Sequence, residues 1–99
     1  MDKELKAKWV DALRANTYKQ ARETLKDEDG AMCCLGVLCE VQQADWEAEF
    51  PTDDDLNTSQ LPPRLSAGLT EREMSILADM NDSEKRTFPE IASYIEAAL

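Results

Sequence analysis

The sequence predicts a mainly α protein, about four short helices around a buried Cys-rich helix, in a single domain spanning residues 1–99. Three observations predict it. Apolar residues recur at helical spacing near both ends of the chain. The first positions of residues 32–43 are apolar almost all round, which marks a helix buried on every side. Two segments, Thr70-Glu71-Arg72-Glu73 and Thr87-Phe88-Pro89-Glu90, read as capping boxes that open helices. A chain this short buries only about two-thirds of the surface it exposes when unfolded, enough for one core without an elaborate catalytic pocket.

The elements follow in order. Residues 2–15 form an amphipathic helix, with Leu5, Trp9, Ala12 and Leu13 on one stripe and Lys3, Lys6, Lys8, Asp11 and Arg14 around the remainder. Asn16 stops it, because Asn tolerates the left-handed conformation that ends helices. Asp29-Gly30 is a turn pair. By composition, residues 19–26 either continue as helix or form one arm of a small β-hairpin near residues 20–33, the α+β alternative. Residues 32–43 are the central helix. Gly36 costs it roughly 1 kcal/mol of propensity relative to Ala, which predicts that another element approaches its backbone closely. Residues 44–63 place Trp46 and Phe50 among acids, break at Pro51, and close on Leu61-Pro62-Pro63. After each capping box the apolar stripe resumes, with Met74, Leu77, Ala78 and Asn81 on one helix and Phe88, Ile91, Ala92, Ile95 and Leu99 on the other. These two helices form a helical hairpin packed on the Cys-rich one.

The net charge of −10 is unevenly placed. Residues 1–26 carry +3, residues 27–63 carry −10 with no basic side chain, and residues 64–99 carry −3. The middle segment repels phosphate, so direct nucleic-acid binding is not expected there. It attracts basic protein surface, or it serves only to keep the chain in solution. Residues 1–6 lack the apolar stretch of a signal peptide, and no apolar run approaches the ~20 residues that span a bilayer. With no membrane segment expected and three cysteines clustered within seven residues, the chain reads as a cytoplasmic protein with reduced thiols.

Catalytic and metal chemistries find little support. Cys33, Cys34 and Cys39 lack the Cys-x-x-Cys spacing of zinc and redox sites, and the chain has no histidine. They read as core fillers. A nucleophile would have no imidazole base beside it, and the three glycines are isolated, so no phosphate-cradling loop exists. Asp53, Asp54 and Asp55 lack the alternating ligands, central Gly and final Glu of a calcium loop. No cofactor and no enzymatic activity are expected. The candidate partner-binding residues are Asp45, Trp46, Glu47, Glu49, Phe50, Asp53, Asp54 and Asp55. They are read either as an acidic patch with an aromatic anchor or as a charged loop whose aromatics pin it to the core.

The series Trp9-x-x-Ala12-Leu13-Arg14, Tyr18-x-Gln20 and Cys33-Cys34-Leu35-Gly36-Val37-Leu38-Cys39 resembles a widespread group of small proteins encoded by tailed phages and prophages. The later run Leu77-x-x-Met80-Asn81-Asp82-Ser83, with Phe88, Ile91-Ala92 and Ile95-Glu96, is similar to the same group's C-terminal signature. Members usually carry glycines between the Gln and the Cys-Cys run, which favours the hairpin near residues 20–33. This chain has Ala21-Arg22-Glu23 there, and Glu84-Lys85-Arg86 where a glycine turn is common. The resemblance implies phage origin and the bacterial host cytoplasm, and supplies no catalytic residue. Together with the segregated charge, it leads to the expectation of an accessory protein that binds and modulates a host protein complex, in defence or nucleic-acid processing, through basic surface on that partner. The alternative is a non-inhibitory module that self-associates through Trp46, Phe50 and the C-terminal helices.

Overall fold

Asp2 opens α1 (Lys3–Arg14), its carboxylate accepting from the Leu5 N–H at 2.9 Å, a capping arrangement that satisfies one of the helix's free donors. The helix ends where expected, with Asn16 in the left-handed region at φ 53°. Trp9, Val10 and Leu13 are its buried residues. The computed structural model describes all 99 residues and is mainly helical. Beyond α1 it contains α2 (Cys34–Val41), α3 (Trp46–Glu49), α4 (Asp53–Leu56), α5 (Glu71–Asp82) and α6 (Phe88–Ala98). The four longer helices are the ones the periodicity predicts; α3 and α4 are single turns within the acidic segment.

No β-hairpin forms near residues 20–33, and no helix either. Met32 makes two isolated bridges of opposite sense, parallel to Gln20 and antiparallel to Lys26, so the chain loops around it. The reason lies in where the backbone groups find partners. Ala21 N–H and Met32 C=O pair at 2.8 Å, but Leu25 N–H goes to the carbonyl of Leu56 at 2.8 Å and Ala21 C=O to the side chain of Asn81. Glu23 sits at φ 62° and turns the chain away from any facing strand.

α2 is the buried centre, with Cys34 through Cys39 all inside. It starts two residues later than the apolar run, because Cys33 is the cap, its Sγ accepting from the Gly36 N–H at 3.4 Å. Gly36 meets the close approach its position predicts. A Cβ there would collide with the carbonyl oxygen of Leu25 and lie 2.9 Å from its carbon. Across α2, α1 packs on one side and α5 on the other, while α6 lies against both α1 and α5. α5 and α6 open with the predicted capping boxes, Thr70 with Glu73 and Thr87 with Glu90. α5 closes with Lys85 at φ 52° and the Arg86 N–H reaching back to the Met80 carbonyl at 2.9 Å. One hydrophobic cluster contains residues from α1, α2, α5, α6 and the loops between them. No helix is long and apolar enough to cross a membrane.

Candidate functional site

The acidic segment is built from two small capped turns. Asp45 caps α3, accepting from the Ala48 N–H at 3.2 Å. Pro51 ends it, and Thr52 then caps α4 in a reciprocal pair with Asp55, with Thr52 N–H donating to Asp55 Oδ2 at 3.1 Å and Asp55 N–H to Thr52 Oγ1 at 3.3 Å. A four-residue helix is too short to hold itself, so these side chains stabilise the turns that carry them.

The eight predicted site residues separate accordingly. Asp45 and Asp55 serve as caps. Glu49 is largely covered and pairs with Arg64 at 2.8 Å. Phe50 is buried, 7% exposed, and belongs to the core. Trp46 is part-buried against it, the ring centroids 5.3 Å apart, and its Nε1–H donates to Glu40 Oε2 at 3.2 Å. The aromatics therefore do pin the segment to the core, and Trp46 stays partly exposed. Glu47, Asp53 and Asp54 are exposed, and no ion pair or side-chain hydrogen bond engages them.

An open groove of about 440 Å³ runs beside Trp46, lined also by Lys26, Asp27, Glu47, Phe50, Pro51 and Leu56. The Lys26 ammonium stands 5.0 Å from the centroid of the Trp46 ring, within cation–π range. A second depression of about 490 Å³, also lined by Phe50, is bordered by Asp54, Asp55, Asn57, Thr58 and Gln60. Lys26 and Arg64 are the site residues that sequence reasoning missed. Each is a basic side chain from outside the acidic segment, so charge counting along the chain does not bring it to the site.

The other polar centre lies inside the protein. Asn81 on α5 is fully buried and all its amide groups are satisfied. Its Oδ1 accepts from Gln20 Nε2 at 2.8 Å and from the Cys34 N–H at 3.2 Å; its Nδ2 donates to Ala21 C=O at 2.9 Å and to Asp82 Oδ1 at 2.8 Å. Arg22 donates to the Asn81 carbonyl, and the Glu23 N–H to Asp82. Beside this hub, Trp9 Nε1–H donates to the Cys34 carbonyl at 2.9 Å. Trp9, Gln20, Ala21, Cys34 and Asn81 thus meet at one structural junction of α1, α2, α5 and the 20–23 loop. The available signal was a polar Asn within the apolar stripe of α5.

The three thiols are buried and free. Burial is the main cause that pushes Cys33 up to about 11 and Cys39 up to about 12, and raises Cys34 well above the ordinary 9.0. At neutral pH all three stay protonated, whereas a thiolate is what attacks an electrophile or binds a metal. No group of three or more Cys, Asp or Glu side chains is arranged to hold a metal ion.

No curated protein and no solved structure matches the chain. The family described as "Domain of unknown function (DUF8296)" matches residues 1–63, which takes in α1 to α4 and the whole acidic segment. With well over half its length matched, the chain belongs to the DUF8296 family.

Proposed function

We propose that this protein is a small phage-type accessory protein that binds a host protein complex in the bacterial cytoplasm, and modulates or inhibits it, by presenting its acidic segment to basic surface. The observation that carries this reading is the state of Glu47, Asp53 and Asp54. Their carboxylates are exposed and uncommitted, while Asp45, Glu49 and Asp55 are engaged in capping or pairing. Of the six acids among the candidate residues, three are free to meet a partner. Glu47 borders the groove beside part-buried Trp46, a residue type that anchors interfaces.

Self-association through Trp46, Phe50 and the C-terminal helices has less surface to draw on. Phe50 is buried, the apolar stripes of α5 and α6 are in the core, and Met1 is the sole large hydrophobic side chain classed as exposed.

The test is affinity capture from a host lysate, followed by reconstitution of the complex from purified components at low and high salt. Binding should weaken steeply with salt, and the triple variant Glu47→Gln, Asp53→Asn, Asp54→Asn should lose most of it. Salt-insensitive binding, or undiminished binding by the triple variant, would overturn the reading. A light-scattering concentration series showing a stable oligomer would favour self-association instead.

A further inference from the structure

We infer that the groove beside Trp46 is a receptacle for an arginine side chain of a basic protein partner, and that Lys26 is an internal cation occupying its aromatic face until that arginine arrives. The inference rests on the proposed acidic-face function and names the contact that would give it specificity.

Four observations support it. First, the indole is held in place. Its N–H is held by Glu40 at 3.2 Å and its ring lies 5.3 Å from that of Phe50, so the face turned to the groove is set before any partner binds. Second, that face already attracts a cation, with the Lys26 ammonium 5.0 Å from the ring centroid. Third, Lys26 makes no ion pair: the three salt bridges of the protein are Arg14–Glu96, Arg64–Glu49 and Arg86–Glu84. Its flexible stem can swing out without breaking a bond to a carboxylate. Fourth, Asp27 and Glu47 line the groove, and its volume of about 440 Å³ leaves room beyond the lysine tip.

The occupant follows from charge and shape. Once Lys26 swings out, the charges lining the groove are Asp27 and Glu47, so the local field draws a cation. Between the two basic side chains, a guanidinium displaces an ammonium from an aromatic face with advantage. It is planar, stacks on the ring, and is more weakly hydrated, and its fork donates to carboxylates on either side. Lysine lacks those properties and has only its point charge to offer.

The test titrates the full chain with an octa-arginine and an octa-lysine peptide by calorimetry. Lys26→Gln and Arg64→Gln are compared, because each removes one positive charge and only the first empties the Trp46 face. The expected result is that wild type prefers the arginine peptide. Lys26→Gln should tighten that peptide about threefold more than Arg64→Gln does, and Trp46→Leu should abolish the preference. The indole N–H resonance of Trp46 should shift with the arginine peptide.

Equal effects of the two charge removals, with equal affinity for the two peptides, would overturn the receptacle and leave the acidic-face reading standing. Failure of both peptides to bind wild type even at low salt would overturn the acidic-face reading, and this inference with it. Where Trp46→Leu fails to fold, as judged by a thermal melt, the Lys26 and Arg64 pair together with the peptide preference decides.

Discussion

The backbone carbonyl of Leu25 stands where a side chain on Gly36 would begin. Neither residue has a chemical role at a surface, yet this approach sets how closely the 17–33 loop lies on α2. An alanine at 36 would gain roughly 1 kcal/mol of helix propensity and would have to push the Leu25 backbone aside. Because backbone yields less readily than a side-chain tip, Gly36→Ala is expected to destabilise the protein by a net of about 2 kcal/mol. Urea denaturation gives the figure, and an unchanged midpoint would contradict the close packing described.

Asn81 is expected to be among the residues least tolerant of change. Asn81→Ala leaves the Cys34 N–H and the Ala21 carbonyl without their side-chain partner, inside a region closed to water. Each such loss costs about 1–3 kcal/mol, so the expected destabilisation is about 3 kcal/mol or more. Asn81→Leu, which keeps most of the volume, should be no better, because the cost lies in unpaired backbone groups rather than in a void. A thermal melt in which Asn81→Leu matches wild type would show that the hub is dispensable.

Two backbone positions should respond in opposite directions. Lys85 adopts φ 52° and Gly68 adopts φ 83°. In the left-handed region a Cβ costs about 1–2 kcal/mol, partly offset by the entropy a glycine loses on folding. Lys85→Gly is therefore expected to raise stability by about 0.5–1 kcal/mol, roughly 2–6 °C in Tm. Gly68→Ala should lower it, although no atom within 4 Å of the new Cβ obstructs it. Melts of the two variants check the pair, and the same sign for both would refute the argument.

The buried thiols give a pH dependence with a definite sign. Above about pH 9 the unfolded chain releases thiol protons. The folded chain holds them until about 11 at Cys33 and about 12 at Cys39, chiefly because burial disfavours the thiolate. The unfolded state then binds fewer protons, so stability should fall as pH rises through that window. A Cys33→Ala, Cys39→Ala double variant should show a flatter decline in its urea midpoint between about pH 8 and about 10. In native protein near neutral pH, thiol reagents should modify none of the three quickly, and all three once the chain is unfolded.

What was legible in the sequence was what depends on neighbours in the sequence. The capping boxes at Thr70 and Thr87 need only the residue three places on, and both are found. The stop at Asn16 and the burial of residues 34–39 are equally local. The 17–33 loop was not legible, because Leu25 finds its partner at Leu56 and Ala21 finds its own at Asn81. The acidic segment misled in a different way. Asp45 and Asp55 looked like free charge because helices of one turn leave no periodicity to read, so their capping work was hidden. Lys26 reaches Trp46 across twenty positions of sequence, which no charge count brings together.

The junction at Asn81 also bears on what the matched stretch can be on its own. The family match ends at residue 63, but α1 rests on α6 and α2 rests on α5, and Gln20, Ala21 and Cys34 all reach to Asn81. A polypeptide cut after residue 63 would keep the contact of α1 with α2 but lose α5 and α6, which cover the rest of both. The matched stretch is therefore expected not to fold on its own, which circular dichroism of a 1–63 fragment would check. It borrows its interior from the helices that follow, and any fragment meant to display the acidic segment has to bring α5 and α6 along.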